Sequence, residues 1–105
     1  MAEETVICRY LVRPDREEQF RELLTVHWST LHELGTVTDQ PAVVYRSLAD
    51  PPTYVEIFTW ADGGFQRAHE HPRVIAIWEP MELCLEDRGG LPKWEFPHFR
   101  QVATT

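Results

Sequence analysis

Neither side of the segment formed by residues 54–60 is polar. In an extended strand, successive side chains point to opposite faces, so one face here carries Val55 and Ile57. The opposite face carries aromatic side chains around a single acid: Tyr54, Glu56, Phe58 and Trp60. A sheet built on this strand has to be covered on both faces. We expect helices of the chain to cover one face and the sheet of a second copy to cover the other.

Two further segments have the composition of strands. Residues 5–13 and 42–48 are rich in β-branched and aromatic side chains, which favour extended structure. The second of these segments is separated from residues 54–60 by a turn-forming run at residues 50–52, which contains two prolines. This arrangement predicts a β-hairpin.

Residues 14–34 show the clearest helical pattern in the chain. Pro14 suits the first turn of a helix, and Gly35 suits the position just past its end. Between them, apolar side chains recur three and four residues apart, as expected for one buried stripe: Phe20, Leu23, Leu24, Trp28, Leu31 and Leu34. The sequence therefore predicts a long helix between the first strand and the hairpin.

A second helical region is predicted after the hairpin. Asp62 is expected to cap a helix whose first residues are Gly63 and Gly64, because an aspartate side chain accepts hydrogen bonds from the first backbone N–H groups. Pro72 interrupts this helix, since the residue before a proline avoids the helical conformation. A second helical piece is predicted over residues 72–79.

The last part of the chain contains two strand-like segments. Residues 81–86 alternate apolar and polar side chains, which predicts a fourth strand. Residues 93–102 are too aromatic for a free terminus, but Pro97 excludes them from a central strand. We expect this tail to form an edge strand or an arm packed on the partner subunit, with residues 5–86 as the core of the domain.

The order β-α-β-β-α-β defines the expected fold class. It is α+β and ferredoxin-like, with a four-stranded antiparallel sheet and two helices on one face. A chain of 105 residues has room for one such domain, spanning residues 1–105.

The net charge and the cysteines limit which classes of partner and which cellular compartment are expected. A formal charge of −7 argues against nucleic acid and anionic membranes as partners. Glu3 and Glu4 stand where a signal peptide would carry basic residues. Cys8 and Cys84 match no paired metal or redox spacing, and we expect both to be reduced, buried thiols. We therefore expect a cytoplasmic protein, and the two apolar faces of the sheet predict that it is a homodimer.

Four local features go beyond periodicity. They are Gly35 after the first helix, the aromatic strand end at residues 58–62, the histidine-containing segment at residues 65–72, and the tail at residues 95–99. Together they resemble the antibiotic biosynthesis monooxygenase-like members of the dimeric α/β-barrel superfamily. The resemblance covers most of residues 5–102 and implies the ferredoxin-like fold, paired into a dimeric α/β barrel.

The resemblance also implies a pocket in each subunit between the sheet and the helices. Several relatives oxidise polycyclic phenols there with molecular oxygen, without metal or flavin. Trp60 matches a tryptophan that lines this pocket, and His69 matches a frequent histidine of the second helix. Haem-degrading relatives need an asparagine and a haem-ligating histidine, which by position fall near Cys8 and Trp78 and are absent here. We expect no cofactor and no metal, since His69 and His71 also diverge on a helix.

Seven residues form the candidate site. His69, Trp60 and His27 are the candidate catalytic residues, because imidazole exchanges protons near neutral pH and an indole stacks on planar ligands. The candidate substrate-binding residues are Phe58, Arg9, Glu56 and Trp78.

Each candidate also has a purely structural interpretation. His69 and His27 could be packing histidines with satisfied hydrogen bonds, and aromatic residues at strand spacing are often core or interface. Arg9 and Glu56 could form a cross-strand ion pair or lie at a wet rim. His98 is expected to anchor the tail, although it could reach a neighbouring subunit's pocket.

Two functions of different classes remain open. One is a cofactor-independent monooxygenase acting on a small aromatic or polyketide-like phenol, with His69 or His27 helping to remove a phenolic proton. The other is a non-catalytic dimer that binds a small apolar ligand, since the nucleophile, base and orienting group of a hydrolase are not recognisable. An isomerase or cyclase on the same scaffold would share the pocket and need no oxygen.

Overall fold

The computed structural model describes residues 3–104. In chain order its elements are β1 (Glu4–Leu11), a 3-10 turn (Pro14–Arg16), α1 (Glu17–Glu33), β2 (Val43–Arg46), β3 (Thr53–Trp60), α2 (Gly64–Glu70), α3 (Pro72–Leu83), β4 (Trp94–Glu95) and β5 (His98–Phe99). None of the helices within residues 3–104 is both long and apolar enough to cross a bilayer.

The strands form one antiparallel sheet with β1 and β3 at its centre. The order is β2-β3-β1-β4, and β5 pairs with the same strand β1. Arg9 lies opposite Glu95 and Thr5 opposite Phe99, so the register of the tail is the same on both sides of Pro97. β4 and β5 are therefore two halves of one edge strand. The predicted α+β, ferredoxin-like fold is confirmed, and of the two roles expected for the tail the edge strand is observed.

Residues 81–86 are not the fourth strand, and that prediction was wrong. They continue α3 as far as Leu83 and then lead into a single bridge between Leu85 and Val12. Met81, Cys84 and Leu85 are buried, whereas Leu83 is 69% exposed. Burial thus follows the three-and-four spacing of a helix, with which this short run was equally compatible. The tail takes the place of the predicted strand at the sheet edge.

The second helical region differs from the prediction in its caps. Gly63, in the left-handed conformation at φ 72°, is the N-cap of α2, so Asp62 does not hold that position. The break at Pro72 is confirmed. The ring of His71 accepts a hydrogen bond from the backbone N–H of Arg73 and so caps α3. α3 runs beyond the predicted end at residue 79, through Pro80 inside the helix.

The two faces of the sheet have different environments. From residue 6 to 10 in β1 and from residue 54 to 60 in β3, the even-numbered side chains are buried against the helices, and they include Glu56, which is 1% exposed. The odd-numbered side chains of these two stretches, such as Ile57, are half-buried and face the other way. Ile57 lies opposite Ile7 on one side and Val43 on the other. This second surface, which we call the outer face, is apolar at its centre.

The start of α1 is tied to the sheet by Glu17. Arg46 of β2 forms an ion pair with this carboxylate, and the hydroxyl of Tyr54 donates to it at 2.5 Å. The hydrogen bonds from Arg46 and then from Tyr54 lower the pKa of Glu17 to about 2. The carboxylate therefore stays ionised at neutral pH and fixes the helix over the sheet.

Gly64 starts α2 in direct contact with the backbone of residue 36. A Cβ at this position would lie 1.9 Å from the carbonyl oxygen of Thr36. That oxygen already accepts a hydrogen bond from the backbone N–H of Ala61 at 2.9 Å. Only glycine fits here without moving the turn that leads from β3 into α2.

Gly64→Ala is expected to lower the free energy of unfolding by about 2–3 kcal/mol, because the added methyl group overpacks a backbone contact. Gly35→Ala is the matched comparison. Gly35 has a φ of 73° but no atom within 4 Å of its added Cβ, so we expect only the left-handed penalty of about 1 kcal/mol. Urea denaturation followed by circular dichroism measures both. Equal losses would contradict a tight contact at Gly64.

Candidate functional site

A cavity of about 390 Å³ lies between the buried face of the sheet and the helices. Its walls are formed mainly by aromatic rings: Val6, Cys8, His27, Phe58, Trp60, Phe65, His69, Trp78, Trp94, Phe96 and His98. Within the described chain, no lysine, arginine, aspartate or glutamate lines it. Cavities of this size and apolar character hold small organic ligands. The lining favours a flat, uncharged ligand.

Alternation along the strands brings the rings of the sheet to this cavity. Phe58 and Trp60 are two apart on β3, and their ring centroids are 5.1 Å apart in an edge-to-face arrangement. The edge strand contributes Trp94, Phe96 and His98, which stand opposite the inward-facing side of β1. Edge-to-face pairs are favoured by the quadrupoles of the rings, so the walls also stabilise one another.

The helices contribute the remaining walls. His69 of α2 lies edge to face with Phe65, at 4.4 Å between ring centroids, and with Trp78 of α3, at 4.9 Å. His69 is exposed to solvent, whereas His27 of α1 is only 2% exposed. The two histidines therefore face the same cavity from different depths.

His27 is held by a buried acid. Its Nδ1 lies 3.0 and 3.1 Å from the two carboxylate oxygens of Glu56, and the hydroxyl of Tyr10 donates to Oε1 of the same carboxylate at 2.7 Å. All three side chains are buried. Glu56 lies behind the cavity wall and acts on the cavity through His27.

The other ring nitrogen of His27 fixes the position of the proton. Trp78 Nε1 lies 2.9 Å from His27 Nε2. An indole nitrogen only donates, so Nε2 has to accept and cannot carry a proton in this arrangement. The imidazole proton is then on Nδ1, where it is donated to Glu56. His27 is therefore neutral, with its basic lone pair directed at Trp78.

Cys8 is poorly suited to be a nucleophile. Burial, followed by the nearby Glu56 carboxylate, raises the pKa of its thiol well above the ordinary value. The same two causes, in the same order, raise the pKa of Tyr10. Both groups therefore keep their protons at neutral pH. Cys8 and Cys84 are free and buried, as expected.

Trp60 lines the cavity and carries an unused hydrogen-bond donor. Its side chain is 5% exposed, and its indole Nε1 has no hydrogen-bond partner within residues 3–104. A buried polar group normally has a partner. A ligand oxygen in the cavity would supply the missing acceptor.

His98 closes the cavity at the edge strand. Its Nδ1 lies 2.8 Å from a carboxylate oxygen of Glu4, and its ring contacts that of Phe65 at 4.9 Å between centroids, edge to face. The tail is thus anchored through His98, as expected, and the same ring lines the cavity.

The structure brings five of the seven candidate residues to the cavity wall: His27, Phe58, Trp60, His69 and Trp78. Glu56 stands behind them. Arg9 does not join them, and the suggested Arg9–Glu56 ion pair is wrong. Arg9 lies opposite Val55, whereas Glu56 lies opposite Cys8, which places the two charges on opposite faces. Arg9 instead pairs with Glu95, at 2.9 Å.

The sequence-based interpretation missed the contribution of Phe65, Trp94 and Phe96 to the cavity. The signal was present in the tail, because residues 94, 96 and 98 are all aromatic rings at strand spacing. Pro97 indicated an edge strand, but the alternation of the three rings also indicates that they share one face. No group of three or more metal-binding side chains was found among the described residues.

No protein-family model matches the sequence, and no curated protein matches it closely. Solved structures match its shape. A conserved protein from Methanosarcina mazei Go1 aligns with a TM-score of 0.76 and 17% identity, over 97% of this chain and 95% of that one. SnoaB, a cofactor-independent oxygenase from Streptomyces nogalater, aligns with a TM-score of 0.73 and 18% identity, over 99% and 97%.

A third structure, of a candidate antibiotic biosynthesis monooxygenase from Bordetella bronchiseptica, aligns with a TM-score of 0.72 and 15% identity, over 98% of this chain and 100% of that one. At such identities the likeness concerns the fold. The chain has the ferredoxin-like α+β fold of these proteins, matched over nearly its whole length.

Proposed function

We propose that this protein is a cofactor-independent monooxygenase that acts on a small, planar phenol. The observation that carries the proposal is the cavity itself, whose aromatic walls include three histidines and Trp60, whose indole N–H has no partner within residues 3–104. The rings would stack on a flat substrate, and the lack of charged side chains in the lining suits a neutral one. The likeness to SnoaB, a cofactor-independent oxygenase, supports this function at the level of the fold.

The proposed reaction needs few groups from the protein. A histidine removes the phenolic proton, and the apolar walls exclude water while they orient the ring. The electron-rich anion then reacts with oxygen. One oxygen atom replaces two hydrogens of the substrate, and the other leaves with those hydrogens as water. Trp60 Nε1–H would donate to the substrate oxygen as negative charge develops on it.

We also propose that the protein is a homodimer formed through the outer face. The three helices pack on the opposite side, so Ile7, Val55 and Ile57 at the centre of the outer face stay half-buried within the described chain. Val43 and Tyr45 of the edge strand β2 are 44% and 60% exposed. A second copy offers the same apolar surface and covers both at once. With its free, buried cysteines, the assembly is suited to the cytoplasm, where thiols stay reduced.

Oxygen uptake with 1,8-dihydroxyanthrone tests the proposed reaction. We expect the wild-type protein to exceed the spontaneous rate at least about 100-fold, which one positioned base can supply. Trp60→Phe keeps a ring but lacks the N–H, and we expect an approximately tenfold lower rate. His69→Ala should also lower the rate.

His32→Gln is the control, because His32 stacks on Trp28 outside the cavity and pairs with Asp39 on the surface. A wild-type rate equal to the spontaneous one would refute the oxygenase and favour the ligand-binding dimer. Turnover of a bound phenol without oxygen uptake would favour an isomerase or cyclase.

A further inference from the structure

The hydrogen bond between Trp78 and His27 connects two residues that both line the cavity. Its donor, the indole Nε1–H, cannot accept, and its acceptor, the unprotonated Nε2 of His27, cannot donate. The two atoms are 2.9 Å apart. Each of the two groups therefore has the other as its hydrogen-bond partner.

A ligand group that separates these two atoms has to offer an acceptor to the indole N–H of Trp78 and a donor to Nε2 of His27. A hydroxyl does so, because it accepts from the indole N–H and donates to the imidazole nitrogen at the same time. A carbonyl or ether oxygen accepts only, and it would leave His27 Nε2 unpaired in an apolar environment, which is costly. The pair thus distinguishes a hydroxyl from other oxygen groups of similar size.

We propose that Trp78 and His27 form a hydroxyl-recognition subsite, and that His27 is the base that removes the proton of the hydroxyl bound there. The inference rests on the proposed function, since the hydroxyl is that of the phenol. The ligand's O–H bond breaks, its electron pair stays on the oxygen, and the proton forms a new bond to Nε2. The displaced Trp78 N–H then donates to the phenolate oxygen.

The surroundings of His27 favour this proton transfer. The Glu56 carboxylate at Nδ1 is held by two neutral donors, Tyr10 and His27, before the transfer. Once Nε2 is protonated, the imidazolium still donates its Nδ1–H to the carboxylate beside it. Cys8 and Tyr10 are the other titratable groups near this pair, and His69 lies beyond Trp78.

Glu56 and Tyr10 are accordingly positioning residues, because they act on the ligand only through His27. Glu56 fixes the tautomer by accepting the Nδ1 proton, as a carboxylate does for histidines that serve as bases. Without this partner the proton could reside on Nε2, and His27 would then be unable to accept a proton from the ligand.

The first test needs no ligand. Long-range ¹H–¹⁵N NMR of the wild-type protein is expected to show His27 as the neutral Nδ1–H tautomer. An Nε2–H tautomer or an imidazolium in the ligand-free protein would overturn the proposal. His27→Gln identifies the resonances, and His32→Gln provides the control for another histidine of the same helix.

The second test uses 2-hydroxyanthraquinone, a flat phenol that changes colour on ionisation. Its central ring is already a quinone, so the proposed oxidation cannot take place there. Binding to the wild type is expected to lower the pKa of the dye by at least about one unit. His27→Gln, which keeps an acceptor for Trp78 but is not a base, should abolish this shift. Glu56→Gln, which keeps an acceptor for Nδ1–H but has no charge, should abolish most of it.

A wild-type protein that leaves the dye neutral or unbound would overturn the proposal. So would a shift that survives His27→Gln, or one that disappears in His69→Ala. If His27→Gln fails to fold by circular dichroism, Glu56→Gln decides. The methyl ether of the dye cannot donate, and we expect it to bind the wild type at least about tenfold more weakly; equal binding would contradict hydroxyl recognition.

The result is separable from that of the oxygen assay. A dye shift that depends on His27, without oxygen uptake, would refute the oxygenase and leave the subsite in place. Oxygen uptake together with a dye shift independent of His27 would refute the subsite and leave the oxygenase in place.

Discussion

Glu56→Ala is expected to lower the free energy of unfolding by about 3–5 kcal/mol, because each buried donor left without a partner costs about 1–3 kcal/mol. The truncation leaves the Tyr10 hydroxyl and the Nδ1–H of His27 without an acceptor. Tyr10 is 0% and His27 2% exposed, so water cannot replace the lost carboxylate without entering the core. The missing side chain also leaves a cavity, which adds to the loss.

Matched variants separate these contributions in urea denaturation at constant protein concentration. Glu56→Gln fills the same volume and keeps one acceptor, so we expect a clearly smaller loss than for alanine. Tyr10→Phe removes one of the three donor contacts and should cost about 1 kcal/mol. A loss below about 1 kcal/mol for Glu56→Ala would contradict a closed hydrogen-bond network around this acid.

Ile57→Asp is expected to convert the proposed dimer into monomers. Ile57 lies at the centre of the outer face, between Ile7 and Val43, and two copies related by symmetry would bring two aspartates into one apolar interface. Burying unpaired carboxylates costs several kcal/mol each. Light scattering should therefore give about twice the chain mass of 12.3 kDa for the wild type and a single chain mass for the variant.

Val26→Asp is the matched control. Val26 is 44% exposed on α1, on the helical side of the sheet, so the same change of chemistry there should leave the mass of the dimer unchanged. A monomeric wild type at micromolar concentration would refute the dimer. A dimeric Ile57→Asp variant with intact secondary structure would place the interface elsewhere.

Local signals predicted most of the fold. The stripe of α1 is long enough for one period to dominate, and Gly35, with its φ of 73°, ends the helix as expected. The hairpin was equally clear, because β2 and β3 flank a proline-rich turn. The strand predicted at residues 81–86 was wrong because a run of six residues is compatible with both the helical and the strand period. The packing of its apolar side chains favours the helix. The edge of the sheet is completed by the tail and not by residues 81–86. This choice depends on contacts between residues that are distant in sequence.

The site was predictable in part, for a related reason. Alternation alone placed Phe58 and Trp60 on one face, and the helical stripe placed His27 on the side that meets it. The suggested ion pair between Arg9 and Glu56 was wrong because it depends on register, and a shift of one residue moves a side chain to the other face. The hydrogen bond from Trp78 to His27 joins residues on two helices, and nothing in either helix alone indicates it.

The edge strand has a consequence for how the cavity comes into being during synthesis. Trp94, Phe96 and His98 line the cavity, and they are translated after every other residue of its wall. A chain interrupted before them could pair β1 with β3 and dock α1, yet it would present an open trough of aromatic side chains. The cavity is thus complete only after the tail has been translated and has paired with β1.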